Sequence, residues 1–499
     1  MSIATIRSPV PPAARPRWPL YVAIAVALVA WCALDVQRRG RIDPARPHLH
    51  RTDFTAYTEA SSAFFDGRDP YGVTNTRGWG YCYPPLFALV VSPLAPLDPR
   101  WQVTVWFFIS VAVAWGIYRE SARIFKHFAV MAGYTPATRE FPRWIGWAAL
   151  ATALLPVLNC LQRGQVDVLK LYLVVLGFRL SVTGTAWRAW FCGGFALAAA
   201  IVLKVTPLLP AGFIVAVLVA RVVLRRPDDA YASRRTLATG LGLAGGALAL
   251  LLLVPGMIVG WQANLGYLER FYHDKLTKAN DHFDSDKTGN TRSLRNQSFS
   301  NAVIRLGDFL GYEFLGGPDD RLIDREWRGA PTMIMDDPGV GTVLLVARAA
   351  AGLLLLAAGV LTIWRRDVLG QAATIGMACT AALVISPISR GYYHTELVPG
   401  VLLLPLWLLA RDMPRAARWM AWTPVALVLA HYLALPITGR LGLLGIGTAT
   451  WYAIGVTMLV VGGRVGQVTL SAIPAPKVKL RLHATAATRP PGTPSMSPG

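Results

Sequence analysis

Twelve runs of predominantly apolar residues, roughly 17–24 long, divide this 499-residue chain, and runs of that length can cross about 30 Å of hydrocarbon as helices. They fall at 18–35, 101–118, 144–159, 166–182, 187–203, 207–224, 237–259, 341–363, 369–386, 396–410, 419–436 and 441–462. Inside a bilayer no water is available to the backbone, so a spanning segment is either a helix or part of a closed barrel. The period-two alternation of barrel strands is missing, which predicts an all-α polytopic membrane protein. Composition agrees. The chain is 54% hydrophobic and 15% charged with mean hydropathy +0.42, whereas an average soluble chain is about 25% charged.

The first run follows a basic N-terminus but is long and lacks a small-residue cleavage site, so it reads as a retained anchor. Of five cysteines, Cys32, Cys160, Cys192 and Cys379 lie in or beside apolar runs without ligand spacing, implying neither a disulfide framework nor a metal site. The net charge of +21 comes with no nucleic-acid-binding motif. Much of it is accounted for by retention loops and attraction to anionic lipid.

Short connections set the orientation, because Lys and Arg near span ends stay on the cytoplasmic side. With the N-terminus inside, cytoplasmic loops hold Arg119, Arg123, Lys126, Arg139 and Arg143, then Arg225, Arg226, Arg234 and Arg235, then Arg365 and Arg366, then Arg411, Arg415 and Arg418. The opposite short loops hold Arg163, Lys204, Arg390 and Arg440, one each. Two long loops, 36–100 and 260–340, then face outward, where their length exempts them from the charge rule. The expected organisation is a cytoplasmic N-terminus 1–17, a transmembrane domain 18–463 and a Pro/Ser/Thr-rich, disordered cytoplasmic tail 464–499.

Polar residues that are rare at membrane depth gather on that outer side. Asp53 precedes an i, i+3/i+4 apolar stripe through Phe54, Tyr57 and Phe64, so it is either the N-cap of an interfacial amphipathic helix or a positioned general base. Glu59, Asp66 and Asp69 compete for the second role, although Asp66 and Asp69 stand in a turn that favours short acids. Lys204 either snorkels to the interface or faces a phosphate. Arg163 and Gln165 flank Gly164, which permits close backbone approach, and a guanidinium suits bidentate phosphate binding. An aromatic belt accounts for Tyr392 and Tyr393 but not for Arg390 and His394 beside them. In the second loop a flexible polar stretch, 280–295, leads through Asn296 and Gln297 into an amphipathic helix expected over 300–310, and an adaptable lid is the expected use. Asp281, Asp284 and Asp286 lack the glycine and distal Glu of a calcium loop.

These residues together resemble glycosyltransferase family 87. The likeness runs in order through Asp53-Phe54-x-x-Tyr57, Gly67-x-x-Pro70-Tyr71, Tyr83-Pro84-Pro85, Ser92-Pro93-Leu94, Arg163-Gly164-Gln165-x-Asp167, Lys204-x-x-Pro207, Asn296-Gln297-Ser298 and Ser386-Pro387-x-Ser389, covering roughly residues 20–435. The resemblance implies a GT-C-like bundle of about twelve helices and a mannosyltransferase that uses a polyprenyl-phosphate sugar. It further implies Asp53 as catalytic base and His394 as a residue that helps bind donor phosphate or order the base. Two departures, Arg163 where relatives commonly carry Asn and Arg390 where a Trp often follows, add positive charge on the donor side.

The chemistry fits. A lipid-phosphate leaving group already carries negative charge, so one carboxylate to accept the acceptor proton and a few cations can suffice. On this reading Arg163, Gln165, Lys204, Arg390 and His394 serve the donor phosphate, while Tyr57, Glu59, Tyr71, Tyr83, Asn296 and Gln297 are acceptor-side candidates. No cofactor or metal is called for. The partners are a polyprenyl-phosphate sugar, a glycolipid or glycan acceptor and membrane lipid, and the expected location is a bacterial inner membrane with the site on its periplasmic face. The alternative is a transporter or flippase of a lipid-linked substrate, which should show paired repeats and ionisable residues near the midplane.

Overall fold

The computed structural model describes residues 18–40, 50, 52–76, 80–134, 140–224, 230–277, 296–303, 338–386 and 389–462. Outside them lie the 1–17 segment, the 464–499 tail, the 280–295 stretch with its three aspartates, and the expected helix beyond residue 303. Each of the twelve apolar runs falls on a helix. In chain order these are α1 (Trp18–Trp31), α4 (Pro99–Met131), α5 (Arg143–Arg163), α6 (Asp167–Phe178), α7 (Trp187–Leu203), α8 (Leu208–Val223), α9 (Ala232–Leu248, continued by a π turn to Val259), α11 (Pro338–Trp364), α12 (Val368–Ile385), α13 (Val398–Leu409), α14 (Pro414–Leu433) and α16 (Leu443–Val461). The long loops add α2 (Asp53–Phe65), α3 (Pro85–Val91) and α10 (Trp261–Arg270), and α15 (Leu435–Arg440) joins the last two long helices. Six of these helices are long and apolar enough to cross a membrane unaided, and the described residues contain no strand. The chain is an all-helical integral membrane protein.

Local sequence sets the helix ends. Asp98 caps α4 by accepting from Arg100 N at 2.9 Å, Asp367 caps α12 by accepting from Gly370 N at 2.9 Å, and proline occupies the first position of α3, α4, α11 and α14. α5 ends on Gly164 at φ 70°, with Gln165 N donating to Cys160 O and Gly164 N to Leu161 O. This is the paired bonding of a Schellman motif, and it turns the chain sharply after Arg163.

α12 and α13 form the centre of the bundle. Every residue from Gly370 to Val384 and from Val398 to Leu408 is buried. α11 is peripheral, with Leu345, Leu353 and Val360 more than half exposed. Apolar side chains of this kind meet lipid rather than water, so their exposure incurs no hydrophobic penalty. Helices therefore pack through shape, most tightly at α7 against α9. A Cβ placed on Gly194 would lie 2.0 Å from Thr239 O, and one on Gly242 would lie 2.0 Å from Phe191 O.

The two ends of the bundle differ in chemistry. At one end Glu120 takes Arg123 (2.5 Å) and Arg179, Asp367 takes Trp407 Nε1 (2.7 Å) and Arg411 (2.5 Å), and Arg365 reaches the carbonyl of Val460 at 2.8 Å. At the other end the first long loop folds as a compact aromatic unit. Phe54 stacks on Trp106 with centroids 4.8 Å apart, Tyr57 meets Phe87 at 4.9 Å, and Tyr81 Oη donates to Pro84 O at 2.6 Å while accepting from Ala88 N at 3.0 Å. Of the two readings of Asp53, the cap of an interfacial helix is the one corrected here. α2 is buried from Asp53 through Thr58, because the loop wraps it with α3, α4 and the turn after α5 instead of leaving it on the surface.

Gly242→Ala should lower thermal stability in detergent by about 2 kcal/mol or more, as for overpacking against backbone. Gly240→Ala, two residues away and facing open space, should be neutral or slightly stabilising. Equal effects at the two positions would show that close α7–α9 approach is not what holds this pair.

Candidate active site

The end of the bundle opposite the Glu120 and Asp367 clusters gathers nearly all the candidate residues. Asp53 is the first residue of α2, and Thr52 is the N-cap, without a side-chain cap bond. The carboxylate therefore does not cap its own helix. It is 4% exposed and its Oδ2 accepts from Arg163 Nε at 3.0 Å and from Gln165 Nε2. Both bonds fall on one oxygen, and among the described residues Oδ1 receives none.

This arrangement depends on Gly164. A Cβ there would stand 2.7 Å from Phe54 Cβ, and the Gly164 carbonyl accepts from Trp106 Nε1 at 3.1 Å. Backbone and ring thus seat the Arg-Gly-Gln turn directly on the start of α2. Tyr57, one turn further along, places its hydroxyl 3.3 Å from Tyr83 Oη and 3.4 Å from Gln165 Oε1. Tyr71 Oη donates to Tyr83 O at 3.1 Å. Burial pushes the phenols of Tyr57, Tyr71 and Tyr83 well up from their ordinary value, so all three stay protonated and act as donors, not bases. Glu59 is exposed and turned away from the buried Asp53 face, which leaves it apart from this cluster.

Lys204 does not snorkel. Its Nζ lies 2.9 Å from both oxygens of Asp167, and Lys170 Nζ, 2.8 Å from Asp167 Oδ1, also bonds Glu396 and, at 3.2 Å, Thr206. Two lysines and two carboxylates make a neutral, buried quartet linking α6, the end of α7 and the start of α13. Removing one member of such a set characteristically costs about 3–5 kcal/mol, because a buried charge is left behind. Lys204 also sits 3.9 Å above the Tyr393 ring, and Arg163 lies 5.4 Å from the Tyr392 ring, so the two tyrosines pack against cations. Asp167 and Lys170, ionisable residues three apart inside an apolar run, were the sequence signal for this quartet. Glu396 and Tyr393 had no comparable signal.

Asn296 and Gln297 tie the second loop to the segment before α13. Asn296 Oδ1 accepts from Ser298 N and Ser389 N, each at 3.1 Å, and Gln297 N donates to Ser389 O at 2.5 Å. Arg390 pairs with Asn296 through backbone. His394, 1% exposed, has Nδ1 3.3 Å from Arg390 O. Burial, reinforced by His431, pushes its pKa down to about 3. His394 is therefore neutral at physiological pH and can orient the Arg390 segment but adds no charge to it. No bond joins it to Asp53 among the described residues.

A group with this shift works against folding in acid. Below about pH 6.5 the unfolded chain takes up a proton that folded His394 refuses until about pH 3, so its contribution to stability is complete above 6.5 and is lost as pH falls. Thermal unfolding at pH 7.5, 6.5, 5.5 and 4.5 should show His394→Asn losing less stability than the unmodified protein below pH 6.5. Parallel losses would remove His394 from the acid response.

Comparisons with known proteins relate the chain to a family. The model of glycosyltransferase family 87 matches residues 81–387, a stretch that includes Arg163, Gln165, Lys204, Asn296 and Gln297 but leaves Asp53, Arg390 and His394 outside. A polyprenol-phosphate-mannose-dependent alpha-(1-2)-phosphatidylinositol pentamannoside mannosyltransferase of Mycobacterium tuberculosis is 25% identical over 383 residues, covering 75% of this chain and 67% of that protein. ArnT from Cupriavidus metallidurans, crystallised with undecaprenyl phosphate, aligns with TM-score 0.42 and 14% identity over 89% of this chain and 78% of its own. With more than half of its length matched by the family model, this chain belongs to glycosyltransferase family 87.

Proposed function

We propose that this enzyme transfers mannose from a polyprenyl-phosphate donor to a hydroxyl of a glycolipid or glycan acceptor, with inversion, at the extracytoplasmic face of a bacterial inner membrane. The observation that carries the reading is Asp53, a buried carboxylate held through Oδ2 by Arg163 and Gln165 with Oδ1 left for a proton. In the transfer, Oδ1 takes the proton of the acceptor hydroxyl as the acceptor oxygen bonds the anomeric carbon. The bond from that carbon to the phosphate oxygen breaks on the opposite face, and polyprenyl phosphate leaves with the electron pair. A single displacement of this kind inverts the anomeric centre. On this reading Lys204, held by Asp167, and Arg390, on the segment bridged to Asn296, bind the phosphate. Arg163 shares its charge between Asp53 and that phosphate. Tyr57 and Tyr83, which remain protonated, are suited to donate to sugar or acceptor oxygens.

The named activity of the Mycobacterium tuberculosis relative supports the mannose donor. The reading takes a GT-C-like arrangement with twelve crossings in 18–463 and both long loops outside, and the gathering of short-loop arginines at the end opposite the long loops supports that orientation. Cysteines introduced at exposed Tyr272, in the second loop, and at exposed Asp412, at the arginine-rich end, test the orientation. In a background lacking Cys82 and Cys192, an impermeant maleimide applied to intact cells should label position 272 and spare 412. The reverse pattern would invert the topology.

The base is tested with radiolabelled polyprenyl-phosphate mannose. Asp53→Asn keeps size and an acceptor oxygen but cannot hold the proton, so turnover should fall roughly 10²–10⁴-fold while donor still binds. Near-normal transfer by Asp53→Asn would exclude it as base. If the unmodified protein moves no sugar from any polyprenyl phosphate yet redistributes a lipid-linked substrate across vesicles, the flippase reading replaces this one.

A further inference from the structure

The second long loop reaches the first one at the site end of the bundle. α10 is docked along the Gly67–Tyr71 turn by Tyr267 on Phe64 (centroids 4.9 Å apart), Tyr267 Oη to Arg68 O (3.5 Å), an Arg270–Asp69 ion pair at 2.6 Å, and Phe271 on Tyr71 (6.4 Å). The π turn Phe271–Thr277 that continues α10 then carries half-buried Lys275 back over the Tyr71 ring, 6.0 Å from its centroid. On the neighbouring Tyr83 ring, hydrogen-bonded through its carbonyl to Tyr71, Lys204 stands at 5.8 Å. Two lysines from different elements thus flank one pair of bonded tyrosines.

Cys82 lies between Tyr81 and Tyr83. Its neighbours are both buried, yet it is accessible, as a side chain lining an internal cavity would be. Burial pushes the Cys82 thiol up from its ordinary value and Asp53 adds to the rise, while Lys204, Lys275 and Arg390 draw it back down. These are the residues of the proposed donor site with Lys275 added.

We infer that Lys275 is a further donor-phosphate ligand, delivered by the second long loop into the cavity that Cys82 lines with Lys204 and Arg390. The inference rests on the reading of this site as the seat of a polyprenyl phosphate. Mono-anionic and di-anionic forms of a phosphate ester both gain from a second mobile cation, and an ammonium on a flexible stem can follow the phosphate as the sugar leaves. Lys275 also gives the latch between the loops a use, since it is the side chain that the α10 docking positions.

Cys82 supplies the readout. In a Cys192→Ser background, which leaves Cys82 as the accessible thiol, the rate of alkylation by a small maleimide is measured against increasing undecaprenyl phosphate, with undecaprenol as neutral control. Undecaprenyl phosphate should protect Cys82 where undecaprenol does not. Lys275→Gln should raise the concentration for half-protection on the order of 10-fold, and Lys275→Arg, which keeps the charge, by no more than about 3-fold. Without ligand, Lys275→Gln should also slow alkylation, because a cation favouring the thiolate is gone. Half-protection unchanged by Lys275→Gln, with unchanged thermal stability, overturns the inference and leaves the donor site standing. Absence of protection in the unmodified protein overturns the donor-site reading and this inference together. Should Lys275→Gln fail to fold, the comparison of Lys275→Arg with Lys275→Met on the ligand-free rate decides whether the side chain faces the cavity.

Discussion

A carboxylate withdrawn from water must be answered by donors within reach, and Asp53 is answered from one place, the turn that ends α5. Arg163 and Gln165 both bond its Oδ2, and they can do so only because Gly164 between them adopts φ 70° and lets the turn press against Phe54. The rest of the site end follows from this contact. It fixes α2 against α4 through the Phe54–Trp106 stack, and it brings Gln165 to Tyr57 and so to Tyr83. The bond pattern also divides the labour of the two carboxylate oxygens. One oxygen anchors the side chain, and on the proposed reading the other takes the acceptor proton.

The second constraint is charge accounting at low dielectric. Lys204 and Lys170 extend inward from apolar helices and would be prohibitive alone, but Asp167 and Glu396 neutralise them. The quartet therefore does two things. It cross-links α6, the α7 terminus and the α13 entrance without burying net charge, and it holds an ammonium beside Tyr83 and Tyr393 with its position fixed in advance. On the proposed reading this preorganised cation stabilises negative charge developing on the leaving phosphate without reorganising during the reaction. His394 belongs to the scaffold of this region. Neutral and buried, it lies against the Arg390 segment through Nδ1 and adds no charge there.

Much of the fold was legible in the chain because hydrocarbon admits so few backbone solutions. Runs of apolar residues had to become helices, and each of the twelve did, with proline and aspartate marking several starts and Gly164 marking a stop. Of the two readings offered for Asp53, the cap of an interfacial helix is the one that failed, for an equally physical reason. A stripe of Phe54, Tyr57 and Phe64 says that one face is covered but not by what, and here protein covers it on several sides. Lys204 shows the same limit, since a lysine at the end of an apolar helix has the same local sequence whether it turns to the interface or to Asp167.

Sequence by itself determined the solvent of this protein, the helical character of its spans, the placement of basic residues at one end of the bundle and the residue types assembled at the other. It did so because these depend on local hydropathy, on chain parity and on motif spacing. Only the tertiary structure decided which side chains meet. That Asp53 bonds Arg163 and Gln165 across more than a hundred residues, that Lys170 meets Glu396 across more than two hundred, and that Lys275 returns to Tyr71 are outcomes of helix packing. Partners so far apart in the chain are selected by shape and charge in three dimensions, and no periodicity along the sequence encodes them.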